Sequence, residues 1–349
     1  MAESRRMAYV PQLDGMRAVG VLLVLVTHGA RPYSWPGGFG VDIFFVLSGY
    51  LITSLLILEW EGSGRIAFGR FYVRRFIRLY PALLTYLAAT IPLGLLLVDD
   101  IRAFLIATAA SSVYLNPIAE IIQGPSVFYG HLWTLAFEEY FYLAWPVAFV
   151  MLLHLRLTWK TRGVLMLAGG VALYGAYIAT YFVRDAPLEL LRVGGIALGC
   201  GLAIVLRHTT RRGNARLLAG SALACLVLAC VVAMHGVWGS LAPLFAALGS
   251  IAMILSILTG RATAASRVLG SGPLTFVGRI SYELYLWHPT VLIGGALALG
   301  TTENAIWWWA YPVSFGLAVA THYGYAPLQR RWRRQVDGLH EARVRARVV

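Results

Sequence analysis

Long apolar runs separated by short polar joints dominate this chain. Runs wide enough to cross a hydrocarbon core fall near residues 13–30, 39–58, 79–98, 131–154, 163–183, 189–206, 217–234, 240–259, 274–299 and 305–325. A crossing helix needs about 20 largely apolar residues, and it satisfies every backbone N–H and C=O within itself. The pattern therefore predicts an all-α fold, a polytopic membrane helical bundle of about ten transmembrane helices. An eleventh, shorter run at 101–115 is ambiguous by length. No repeat of about 20–50 residues is present, which excludes a solenoid.

Charge decides whether 101–115 crosses. If it does not, and the amino terminus is cytoplasmic, the 29 lysines and arginines fall inside except for Arg31, Arg102, Arg184 and Arg192. Asp99, Asp100, Glu120 and Glu303 then join those four outside. If it crosses, the basic loops from Arg156 through Arg279 invert and the positive-inside rule fails. Ten crossings with both termini cytoplasmic follow, and 101–130 lies on or dips into the outer face. Residues 1–327 form the membrane domain. Residues 328–349 form a basic cytoplasmic tail, helical along the inner leaflet, which reads equally well as a plain topology anchor.

Composition agrees. The 349 residues are 59% hydrophobic and 13% charged, with net charge +13, whereas soluble domains carry about 25% charged residues. Mean hydropathy is +0.69. All the basic residues except Lys160 are arginines, which with abundant alanine and glycine points to a GC-rich bacterial genome. Such charge in a membrane protein reports topology and contact with the lipid bilayer, which excludes nucleic acid as a partner. Cys200, Cys225 and Cys230 sit inside apolar runs without metal spacing and read as small buried hydrophobes. No cleavable signal peptide is expected, because the first apolar run lacks a small-residue cleavage motif.

The candidate chemistry is organised around residues 11–53. Arg17 opens the first apolar run and His28 closes it, about 16 Å further along a helix. Ionisable groups at membrane depth are costly and usually mark a site; the plainer reading is a snorkelling arginine and a histidine at an interfacial helix end. Under the topology above, His28, Asp42 and Glu138 fall in one outer-leaflet layer, with His131 at the mouth of the fourth crossing. A carboxylate beside a histidine orients its tautomer and stabilises the imidazolium, as a general base requires. The alternative is a polar network that only locks helices together.

On the inner side, RIAFGRFYVRRFIRLY spaces Arg70, Arg74 and Arg78 four apart, with Arg75 one step round. Such a face suits a phosphorylated ligand, which arginine binds bidentately, or an anionic lipid. The ninth crossing reads GRISYELYLWHP, placing His288 among Tyr282, Glu283, Tyr285 and Trp287 and before a kinking proline. There is no Gly-x-Ser-x-Gly elbow, Walker loop or His/Cys metal spacing. Ser48 has no histidine at its depth, which favours base-assisted direct transfer over a seryl intermediate.

Three blocks in order resemble the acyltransferase-3 family: residues 11–53, then FYVRRFIRLYPAL with HLWTLAFEEYFYLAWP, then GRISYELYLWHP. That resemblance implies about ten membrane helices in a bacterial cytoplasmic membrane and O-acylation of carbohydrates. It also implies acetyl-CoA or another acyl-CoA as donor, with no metal. Arg17 and His28 occupy the family's R-x10-H positions, implied to bind donor and to catalyse. Asp42, Glu138, Arg74, Arg75, Arg78, Tyr285 and His288 fall on its other recurrent positions. Catalysis is therefore expected from His28, Glu138 and Asp42. Donor binding is expected from Arg17, Arg70, Arg74, Arg75 and Arg78, and support from Ser48, Tyr285, His288 and His131. The chain departs from the pattern at Ala326-Pro327, where the family usually has Glu-Pro. No SGNH-type esterase domain is expected here, so the membrane domain or a separate partner completes transfer. The acceptor is a cell-envelope carbohydrate or, alternatively, a glycosylated secreted small molecule. A transporter or flippase of a glycan or organic acid is the rival from another class.

Overall fold

The computed structural model describes residues 8–29, 38–184, 188–207, 209 and 213–345. Arg5, Arg6, Arg31, Arg211, Arg212 and Arg347 of the charge argument lie outside the described residues. The α-helices are α1 (Pro11–Gly29), α2 (Gly40–Ser63), α3 (Phe68–Leu97), α4 (Ile101–Ser112), α5 (Asn116–Gln123), α6 (Trp133–His154), α7 (Trp159–Arg184), α8 (Gly194–Arg207), α9 (Ala215–Ala233), α10 (Ala242–Leu258), α11 (Ala264–Leu269), α12 (Gly272–Arg279), α13 (Ser281–Leu299) and α14 (Glu303–Arg345). No strand occurs among the described residues.

Seven of the helical stretches, corresponding to α2, α3 and α6–α10, are long and apolar enough to cross a membrane. The helices α1, α13 and α14 fall outside that set. Their runs are interrupted by Arg17 and His28, by Glu283 and His288, and by His322 with several aromatic residues. The predicted run 274–299 is two helices, broken at Ile280. Helix α14 runs unbroken from the apolar run 305–325 through position 327 to Arg345, so the described part of the basic segment is continuous with it.

The chain divides into two compact units. The first holds residues 1–66 and 145–281, the second 67–144 and 282–349. In the first unit α2 packs on α8, α8 on α7, α9 on α10 and α1 on α12. Glycine makes the α2–α8 approach possible. A Cβ on Gly49 would lie 2.1 Å from the Ile196 carbonyl oxygen, and one on Gly199 would lie 2.2 Å from that of Val46. Helices in lipid gain little from apolar burial between them, so small residues that permit close backbone contact set such interfaces. Phe45 and Val46 lie at this contact, and they are fully buried, as are Leu47 and Leu56 of α2.

In the second unit α4 doubles back along α3. A Cβ on Gly94 would collide with the Phe104 ring. Deeper in, the Tyr129 hydroxyl joins Thr90 Oγ1 and Thr108 Oγ1, at 2.7 and 3.0 Å. The Tyr80 hydroxyl donates to the Ser112 carbonyl at 2.5 Å. Helix α5 then returns along α4, with Gln123 Nε2 donating to the Ala103 carbonyl at 3.0 Å. Residues 101–123 thus form a helical hairpin, α5 folding back along α4. Its tip, where Tyr114 has φ 59°, is held by the Tyr140 hydroxyl donating to the Tyr114 carbonyl at 2.6 Å. Helix α14 also runs antiparallel to α3, pairing Tyr325 with Thr85 and Gln329 with Arg78.

Candidate active site

In the first unit the catalytic candidates sit on α1 and α2. His28 lies at the carboxyl end of α1, and its Nδ1 donates to the Val24 carbonyl at 2.9 Å. A carbonyl only accepts, so Nδ1 carries the proton and Nε2 is the basic nitrogen of the neutral ring. Helix α2 begins about a turn short of that level: a Cβ on Gly40 would meet the Gly20 carbonyl oxygen, Leu23 and Val24. Arg17 lies two turns into α1, with its guanidinium 3.9 Å from Asp14. Ser48 is buried within α2 beside the Gly49 contact.

Asp42 is fully buried and heavily engaged. Arg192 Nη2 donates to its Oδ2 at 2.6 Å, and the Tyr174 hydroxyl donates to its Oδ1 at 2.7 Å. Arg192 also donates to Glu189 at 2.7 Å and to the Gly38 carbonyl at 2.8 Å. The network ties the start of α2 to α7 and to the turn before α8. Sequence reading missed both Arg192 and Tyr174; Arg192 looked like one more arginine of an outer joint, and nothing in its spacing points to Asp42.

In the second unit α3 carries the arginine block against α6. Arg75 lies over the Tyr142 ring, 4.6 Å from its centre. The Tyr142 hydroxyl donates to Glu138 Oε2 at 3.1 Å. Glu139, the next residue, lies within electrostatic reach of Arg75 and Arg78. The sequence reading placed Glu138 and the arginines in opposite layers. Side chains nevertheless link them: the Tyr72 hydroxyl donates to the Leu143 carbonyl at 2.8 Å, and Tyr142 stands between Arg75 and Glu138. Tyr142 was legible only as the i+4 neighbour of Glu138 on the same helical face.

Arg74 is drawn to the far end of α14, where its Nη2 meets Asp337 Oδ2 at 2.5 Å. Arg70 is also on the amino-terminal part of α3.

The remaining candidates form a second cluster in the same unit. The Tyr285 hydroxyl donates to the His131 carbonyl at 2.9 Å and lies 2.8 Å from Thr134 Oγ1. The His131 and His288 rings are 5.9 Å apart and set edge to face. Tyr86, fully buried, packs its ring on His131 and bonds the Phe128 carbonyl and Thr290. Pro289 has no N–H for the carbonyl four residues back, which belongs to Tyr285. His288 Nδ1 fills that vacancy at 3.0 Å and reaches the Leu284 carbonyl at 3.2 Å. This fixes the His288 tautomer as at His28, with Nε2 the basic nitrogen.

The chain is thus an all-helical protein of membrane-type apolar helices that carry a histidine bonded through Nδ1 and a run of arginines on α3. A family model described as an acyltransferase domain, that of the acyltransferase-3 family, matches residues 10–324, and the chain belongs to that family. Peptidoglycan O-acetyltransferase OatA of Listeria monocytogenes is 33% identical over 329 residues, covering 86% of this chain and 52% of the relative. Putative O-acetyltransferase SACOL0978 of Staphylococcus aureus is 30% identical over 313 residues, covering 82% of this chain and 51% of the relative. O-acetyltransferase OatA of Staphylococcus aureus is 28% identical over 309 residues, with the same two shares of coverage. The chain thus spans about half the length of these curated relatives. No solved structure matches it.

Proposed function

We propose that this protein is a membrane O-acyltransferase that moves an acetyl group from an acyl-CoA to a hydroxyl of a cell-envelope carbohydrate. Family membership supports the reaction class, and the printed names of the relatives favour a peptidoglycan sugar as acceptor. The observation that carries the chemistry is the fixed tautomer of His28, with Nδ1–H spent on the Val24 carbonyl. Nε2 takes the proton of the acceptor hydroxyl while its oxygen bonds to the thioester carbonyl carbon. The C–S bond then breaks, and the CoA sulfur leaves and is protonated to the free thiol. Positioned proton transfer of this kind contributes roughly 10²–10⁴ in rate.

The other roles follow from charge. The arginines of α3 bind donor phosphates, with Arg17 assigned to the donor by its place in the R-x10-H pair. Both Asp42 oxygens are engaged by Arg192 and Tyr174, so Asp42 serves by holding the entrance of α2. Glu138 holds Tyr142 beneath Arg75. Tyr285, His131 and His288 support from the second cluster, as does Ser48 from α2. Adding α1, α13 and α14 to the seven apolar helices gives ten crossings, and the basic joints favour both termini on the cytoplasmic side of a bacterial cytoplasmic membrane.

The test is labelled acetyl-CoA incubated with purified protein and peptidoglycan fragments, with esters read by mass spectrometry. His28→Ala and His28→Gln are both expected to lose at least about 10² in rate while donor binding and folding persist. Full activity in His28→Gln rejects the base. Absence of any ester with the unaltered protein rejects the enzyme and leaves the transporter reading standing.

A further inference from the structure

The tail meets the arginine block of α3 in a way that sequence gave no reason to expect. On α14, Gln329 Nε2 reaches the Arg78 carbonyl at 3.4 Å, and Asp337 holds Arg74 at 2.5 Å. Arg333 lies four residues from each, between these anchors on the same face of the helix. It therefore faces the stretch of α3 that carries Arg74 and Arg78. Burial, with these two guanidiniums close by, pulls Arg333 below its ordinary arginine range. Asp337 is the carboxylate opposing that trio: one oxygen is on Arg74, while the other is shielded from solvent and has no hydrogen-bond partner among the described residues. Three like charges are held together against Asp337, with Glu139 in reach of Arg78 alone among the three. Evolution of a plain topology anchor has no need of such crowding, because like charges repel and surface arginines satisfy the positive-inside rule wherever they point.

We infer that Arg333 joins Arg74 and Arg78 as one anion site for phosphates of the donor, and that Asp337 fills it as an internal anion the donor displaces. This rests on the donor reading above. A guanidinium offers paired donors in a plane that matches phosphate oxygens, and a phosphate with its higher charge outcompetes a single carboxylate for them. The tail thereby becomes part of the donor site, and the resting contact between Asp337 and Arg74 keeps the helix docked when donor is absent.

The experiment measures binding of CoA and of adenosine 3′,5′-bisphosphate, its nucleotide end, to the full chain in detergent, with thermal unfolding recorded on the same samples. Arg333→Gln is expected to weaken both ligands about tenfold or more, the loss of one charge-assisted contact. Asp337→Asn is expected to tighten both about two- to fivefold, since a half-exposed ion pair stabilises by no more than about 1 kcal/mol. Asp337→Glu, which keeps the competing charge, should bind as the unaltered protein does. If the unaltered protein binds neither ligand, the donor reading itself fails. If it binds but Arg333→Gln binds equally well, or Asp337→Asn binds more weakly, only the present inference is overturned. Should Asp337→Asn fail to fold, the Arg333→Gln result decides alone.

Discussion

The two units each hold a knot of charge among apolar helices, and the knots are built in opposite ways. Around Asp42 the account closes: one arginine, two carboxylates, a tyrosine hydroxyl and a backbone carbonyl satisfy one another, and Asp42 and Arg192 are buried. Around the amino-terminal part of α3 the charges are more numerous and more exposed. Arg74, Arg75, Arg78 and Arg333 face Asp337, Glu138 and Glu139 across a partly exposed surface, with Arg330, Arg331 and Arg334 further along the same helix. A closed, buried network has no valence left for a ligand and works as a lock between helices. A partly exposed one with more positive than negative charge is the setting in which the proposed donor phosphates would be bound. Both looked alike in sequence, as isolated ionisable residues near apolar runs, and the pairing is what separates them.

The largest effect expected from this contrast is on stability. Arg192→Ala strands the Asp42 carboxylate in a buried site and should cost about 3–5 kcal/mol, read as a lowered unfolding temperature in detergent. The double change Arg192→Met with Asp42→Leu removes both charges and should recover much of that loss. A stable Arg192→Ala protein would break the lock.

The partly exposed knot should respond differently. Arg78→Ala is expected to leave the unfolding temperature nearly unchanged, while CoA affinity falls by about 1.5–3 kcal/mol, measured by calorimetry at low and high salt. Collapse of the fold with unaltered affinity would move this cluster into the first class.

The smallest effect comes from a carboxylate with no arginine at all. Glu120, on α5 outside the membrane-spanning helices, has Oε1 buried without a hydrogen-bond partner among the described residues. Burial pushes its pKa up to about 7, against the opposing pull of the Ser126 backbone N–H. An acid whose folded pKa lies above its unfolded value of 4.5 binds more protons when folded, so stability falls as pH rises between the two values. Unfolding temperature should therefore drop modestly from pH 5 to pH 8, and Glu120→Gln should flatten that slope. A slope unchanged by Glu120→Gln would assign it to another group.

Hydropathy and charge alone determined that the chain is an all-helical membrane protein. Backbone groups in lipid must be satisfied within each segment, and the arginines must be shared out between two faces. The spacing of Arg17, His28 and the α3 arginines was equally legible, because helical periodicity is local. The family followed from those blocks. Charge led to the expectation that 101–115 does not cross, but nothing in the sequence showed that the segment after it forms a hairpin returning along α4 to Ala103. That geometry depends on Gly94 admitting Phe104 and on tyrosines from α3 and α6. Only the tertiary structure decided which charges meet. The residues between Asp42 and Arg192, between Glu138 and Arg75, and between Arg74 and Asp337 number in the tens to hundreds along the chain, and a hydropathy pattern fixes how deep a residue sits without fixing which way it faces. The direction is set by packing, through glycines that let helices approach and aromatic rings that hold them apart.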